Sequence, residues 1–289
     1  MTTWGHRRLV CMFAIATSAV CLAQDSTAPA HNATPPAATI PNTIDCGAFA
    51  AGDPRLDLVS KLCVFALTYR AKLPDFIAQQ TTTSKGPGST VVITAQVTYH
   101  EGLERYSQAA INGKPVIPNR PANVDLRLFT SGEFGPLLIN LFEVPGAIEF
   151  KFQKTETMLG VPVAIFDFHL PKSKNTFWAI RDARGQTVKP EFHGHLWLEK
   201  ETGRILREEV EPVLNAWQTG ITSMKLTAEY SLTMVRDVGT FLLPAKSEST
   251  VCLIGRLGAT LGCTTNVAVF HDYQKFVATS RIVPAQATP

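Results

Sequence analysis

Polar and apolar residues alternate along two long stretches of the chain. In STVVITAQVTYHEG, residues 89–102, Val91, Ile93, Ala95, Val97 and Tyr99 fall on one side and Thr94, Gln96 and Thr98 on the other. In SMKLTAEYSLTMV, residues 223–235, Met224, Leu226, Ala228, Tyr230, Leu232 and Met234 face one way, and Lys225, Thr227, Glu229, Ser231 and Thr233 the other. A period of two over such lengths predicts antiparallel strands with one apolar and one wetted side. Residues 76–83, 103–110, 147–156, 161–170, 175–181, 190–199, 204–210, 240–253 and 264–277 are further predicted strands. The turn sequences NGKP, MLGVP, RDARGQ, KETG and RDVGT separate many of them.

Two segments depart from this period. In GDPRLDLVSKLCVFALTYRAKLPDF, residues 52–76, Asp53 can cap a helix and Pro54 suits its first position. Asp57, Lys61, Thr68 and Lys72 form a narrow polar stripe, while Leu56, Val59, Leu62, Val64, Phe65, Leu67 and Tyr69 are apolar. A helix this apolar is expected to be covered on most sides. The second segment, TSGEFGPLLINLFEVPG at 130–146, predicts a short apolar helix. Thr130 and Glu133 have capping-box spacing, although Pro136 favours a start near Gly135, and Pro145 with Gly146 ends it. The expected architecture is mainly β (α+β): one antiparallel sheet of some ten or more strands, its apolar side curled around a long N-terminal helix and a short inserted one.

Composition adds an address. MTTWGHRR followed by LVCMFAIATSAVCLA reads as an export signal cut after Ala23, and its apolar part is too short for a permanent membrane anchor. Cys21 as a lipid-anchoring residue is the lesser reading, because SAVC lacks the usual flanking residues. Residues 24–52 begin Pro-, Ala- and Thr-rich and read as a flexible arm, with the folded domain at 53–284. Removing residues 1–23 takes Arg7 and Arg8 and no acid from the 27 basic and 24 acidic residues. The near-neutral remainder gives no electrostatic ground for nucleic acid as a partner. Four cysteines remain in an oxidising compartment, and the glycines between Cys252 and Cys263 let the chain turn back so that these two can pair. Cys46 with Cys63 is then the second disulfide.

The order of elements resembles the outer-membrane lipoprotein carrier and lipoprotein-sorting proteins of the bacterial periplasm. LPDFIAQQTTT carries the likeness as a helix end running into a Gln/Thr-rich strand. GEFGPLLINLF resembles a lid-like helix midway, and FKFQKTETMLGVPVAIFDF and GHLWLEKETGRILREEV are similar to successive hairpins. The likeness covers residues 54–280 as an ordering of elements. It implies an unclosed half-barrel whose apolar concavity, covered by helices, holds the acyl chain of a lipid or lipoprotein without chemistry or cofactor. The chain departs from that family in its length, in its cysteines and in an apolar tip of Leu253, Ile254, Leu257 and Leu261. That tip and the outside of the sheet could instead engage an envelope protein. Cavity-lining candidates are Val91, Ile93, Val97, Tyr99, Phe150, Phe152, Leu196, Leu226, Tyr230 and Leu232 on strands, with Leu138 and Phe142 on the inserted helix.

Catalytic signals are sparse. His193 and His195, spaced by one in EFHGHLWLEKETG, are weak metal candidates, since a site needs a third ligand and His100, His169 and His271 lie on other predicted strands. There is no G-x-S-x-G elbow, phosphate loop or dinucleotide fingerprint. The acidic pairs Glu208–Glu209 and Glu101 with Glu104 read as solvated.

Overall fold

The computed structural model describes residues 44–50, 53–116, 134, 136–142, 144, 146–255 and 258–276. The expected export signal, Cys21, most of the arm, the capping pair Thr130 and Glu133, and Leu257 lie outside these residues. Thirteen strands are described: β1 (Phe76–Gly86), β2 (Ser89–His100), β3 (Leu103–Ile111), β4 (Lys114–Pro115), β5 (Glu149–Met158), β6 (Val161–Leu170), β7 (Ile180–Arg181), β8 (Thr187–Val188), β9 (Glu191–Glu199), β10 (Ile205–Val213), β11 (Ile221–Val235), β12 (Gly239–Ile254) and β13 (Thr260–Lys275). The helices are α1 (Asp57–Lys72), α2 (Pro136–Asn140) and α3 (Ala216–Thr219).

Eleven strands form one sheet in the order β4-β3-β2-β1-β13-β12-β11-β10-β9-β6-β5, and β7 pairs β8 apart from it. Every ladder of the large sheet is antiparallel. β4 and β5 stand at its two ends, so the sheet is unclosed. Its curvature follows from the inserted segment. Phe134 packs on Phe76, Tyr99 and Phe270, whereas Phe142 packs on Phe150. β1 and β5 are seven places apart in the order, roughly 34 Å across a flat sheet. A stretch from 134 to 142 containing a helix reaches only about 15–20 Å. The sheet must curl to meet it, which makes an open half-barrel.

The expected alternation drives this fold, and the exceptions have causes. Leu232 and Met234, placed by pattern on the inner side, are 55% and 65% exposed. β10 pairs with β11 only as far as Glu229, so the β11–β12 hairpin projects past its neighbour and its end is uncovered. Of the predicted strand 175–181 only Ile180–Arg181 is strand. Asn175 folds the rest: its amide nitrogen donates to the carbonyls of Trp178 (2.8 Å) and Pro190 (2.7 Å), and its oxygen accepts from Trp178 N–H (2.9 Å). Hairpin turns fall where expected, as at Leu159–Gly160, where both residues take the positive φ that a two-residue turn requires.

Helix α1 lies on the inner side, where the Tyr69 hydroxyl donates to the Leu242 carbonyl of β12 (2.6 Å). Asp53 caps the 3-10 turn that leads into it by accepting from Arg55 N–H (3.0 Å). Contrary to the expectation of cover on most sides, Val64 and Leu67 are exposed, because the sheet reaches only one side of α1. The expected arm also ends early. Cys46–Ala50 is a 3-10 turn bound to α1 by the Cys46–Cys63 disulfide, and Phe49 inserts against Phe142 and Phe150. The second disulfide, Cys252–Cys263, joins facing residues of β12 and β13.

Candidate binding site

Register across the sheet places the inward side chains in rows. One row runs Ile93, Thr82, Ala268, Ser247, Ala228, Glu208, Leu196, Phe166, from β2 to β6. A second runs Val91, Ser84, Asn266, Ser249, Leu226, Val210, Gly194, Phe168, Phe150. Most of these residues are buried. The two rows divide by chemistry. Over β1, β13 and β12 they are small and, apart from Ala268, polar, and over β9, β6 and β5 they are apolar and rich in phenylalanine. At Gly194 a Cβ would lie 1.9 Å from the Glu209 carbonyl oxygen and 2.5 Å from the Phe168 ring, so only glycine fits this place in the apolar half.

Glu208 stands at the border of the two halves. It is 1% exposed, between Ala228 and Leu196, and among the described residues neither carboxyl oxygen has a hydrogen-bond partner. Burial alone pushes its carboxyl up to about 8, so it is protonated at neutral pH. Further unsatisfied atoms share this interior: Ser247 Oγ, Asn266 Oδ1, Gln80 Oε1 and both amide atoms of Asn140 in α2. Part of the polar set is satisfied internally, since Gln80 Nε2 donates to Thr82 Oγ1 (3.0 Å) and Asn266 Nδ2 to Ser249 Oγ (3.4 Å).

Eight of the cavity-lining candidates are buried: Ile93, Val97, Tyr99, Leu138, Phe142, Leu196, Leu226 and Tyr230. Val91, Phe150 and Phe152 are half-buried, and Leu232 stands outside. The reading of Glu208 as solvated is overturned by its burial. The signal was there: Glu208 has the parity of Val210 and Pro212, so it shares their apolar side, and Thr82, Ser84, Ser247, Ser249 and Asn266 stand at inward positions by the same count.

The outer side is an ion-paired lattice. Glu209 receives Arg207 and Lys225 (Lys225 Nζ 2.7 Å), Lys225 also reaches Glu211 (3.2 Å), and Arg207 lies 3.7 Å from Glu229. Burial works against the Glu209 charge, but the hydrogen bond from Lys225 and the attraction of Arg207 outweigh it and hold the carboxyl below its usual range. The histidines sit here as well. His195 Nδ1 is 2.7 Å from Asp167, His169 Nε2 is 3.2 Å from Glu191, and His193 Nε2 is 4.0 Å from Glu211. Each has a carboxylate beside it. Among the described residues no group of three or more His, Cys, Asp or Glu side chains could hold a metal ion. Two surface depressions, of about 380 and 550 Å³, lie over this lattice and beside these histidines.

Solved structures align with this chain at low overlap. A putative outer membrane lipoprotein-sorting protein domain from Vibrio parahaemolyticus aligns at a TM-score of 0.38 with 13% identity, covering 75% of this chain and 90% of that one. A LolA superfamily protein from Nitrosomonas europaea gives 0.34 and 13%, with 75% and 93% covered. The Mycobacterium tuberculosis lipoprotein LppX gives 0.28 and 8%, with 79% and 100% covered. This chain is similar to them. No family profile and no curated protein sequence matches it. Among the described residues no helix is long and apolar enough to cross a membrane.

Proposed function

We propose that this chain is an exported, periplasmic binding protein that takes the acyl chain of a lipid or lipoprotein between the inner side of its half-barrel and the segment 134–142, without catalysis. The observation that carries this reading is the one-sided sheet, unclosed and covered by α1 and by a short segment held through Phe134, Leu137, Leu138, Leu141 and Phe142. Those side chains fill the interior as it stands, so an acyl chain enters by displacing that segment and taking over its contacts with Phe150 and its neighbours. Each methylene so buried contributes about 0.8 kcal/mol, which lets one long chain bind tightly with no conspicuous motif. The test is organic extraction of protein exported and purified without detergent, followed by mass spectrometry. A co-purifying amphiphile near equimolar amount is expected. Lipid-free protein that also shows no saturable uptake of a fluorescent acyl probe would remove the reading.

A second reading is favoured by one observation at the far end of the sheet. Trp217 and Leu261 are 72% and 70% exposed, and Trp217 leans on the tip at Gly258. This corner suits contact with an envelope protein, and retention of such a partner after Trp217→Ser would count against it.

A further inference from the structure

We propose that the polar half of the inner side is a receptor for an uncharged head group bearing hydroxyl or amide functions, with Glu208 and Ser247 as its anchors. The inference rests on the acyl-chain reading and adds what the other end of the guest must be.

Glu208 and Ser247 lie in one row, two strands and about 10 Å apart, with only Ala228 between them. Ser247 is fully buried, and among the described residues its hydroxyl and both oxygens of Glu208 have no hydrogen-bond partner. Each orphaned buried polar group costs about 1–3 kcal/mol, and apolar residues such as Leu196 and Val210 fill the same kind of position in the neighbouring strand and row. Asn140 lies in the covering helix α2 and its side-chain amide is equally unpaired. Several unsatisfied groups gathered on one side of an interior call for an external partner.

The inventory narrows what that partner is. Asn266 Oδ1, Gln80 Oε1 and the Glu208 carbonyl oxygen accept, while the Ser247 hydroxyl, the Asn140 amide and a protonated Glu208 donate. A guest that both donates and accepts meets these needs, and hydroxyl and amide groups do both. Neither row contains a lysine, arginine or histidine, so a phosphate or carboxylate head would arrive without a counter-charge and face Glu208. The apolar half over β9, β6 and β5 receives the chain, and the polar half receives the head.

The experiment compares three ligands with one acyl chain and different heads: mono-oleoylglycerol, oleoylethanolamide and oleate, each displacing a fluorescent acyl probe from the exported protein at neutral pH. The two neutral ligands are expected to bind about tenfold more tightly than oleate. In Ser247→Ala and in Glu208→Met, checked for folding by circular dichroism, that gap should shrink severalfold while oleate binding holds or improves. If Glu208→Met does not fold, the Ser247→Ala comparison decides alone. A glycerol ester bound ahead of the ethanolamide indicates a glycerolipid, and the reverse order an N-acylated chain terminus; both support the proposal. Binding of all three with equal affinity, or a gap unchanged in the variants, overturns this inference and leaves the acyl-chain reading standing. Binding of none overturns both.

Discussion

Glu208 and Glu209 adjoin in β10, and the peptide bond between them separates the two sides of the sheet. Glu209 turns outward to Arg207 and Lys225 and is held ionised. Glu208 turns inward, finds no partner and is driven to its neutral form. Both are largely shielded from water, so burial alone does not set the difference. Partners do. The outer side pairs its buried carboxylate with two cations, although Arg207 Nε there has no partner among the described residues, whereas the inner side keeps a larger set of polar atoms that nothing in the described chain completes.

The largest test puts a second carboxyl on the inner side. Leu226→Glu, one row from Glu208 and equally lacking a cation, is expected to cost about 3–5 kcal/mol in urea melts or to prevent folding. Next comes removal of the acid already there. Glu208 binds its proton more tightly folded than unfolded, so its contribution is whole below the ordinary 4.5 and gone by about 8. Stability should therefore fall as pH rises through that window. Glu208→Gln should flatten the fall and be more stable than the parent by about 3 kcal/mol at neutral pH, measured by thermal or urea unfolding. A parent protein whose stability is flat across that range would show that Glu208 is solvated after all.

Glu209→Gln should behave oppositely and more weakly. Its lowered carboxyl stabilises the fold above the usual carboxylate range and loses that effect as pH falls through it. The substitution is expected to cost about 1–2 kcal/mol at neutral pH, and less in high salt because Lys225 and Arg207 are partly exposed. The smallest effect is expected at Leu232→Ser. This position shares the parity of Tyr230 but lies on the uncovered hairpin end, so the change should stay within about 0.5 kcal/mol. A loss of several kcal/mol would mean that the hairpin end is covered in solution.

Much of the fold was legible in the chain. β6 falls on the predicted 161–170, and β2 and β11 carry the alternation that named them. The two disulfides join the expected partners. The inward rows were legible only as apolar residues. Two adjacent glutamates read as a solvated pair, although the count from Val210 places Glu208 inside. The segment at 175–181 misled for a different reason: Asn175 has the hydrogen bonds to replace a ladder, and nothing local in its neighbours announces where its acceptors lie.

By itself the sequence determined which side chains share a side of each strand, where hairpins turn and where helices interrupt, because these follow from periods of two and 3.6 and from the backbone freedom of Gly and Pro. Only the tertiary structure decided how far each neighbouring strand extends, and so which apolar positions are covered: Leu226 is inside and Leu232 is not. It also decided which of two identical acids meets a cation. Coverage and pairing depend on contacts between residues far apart in the chain, and no local pattern encodes those.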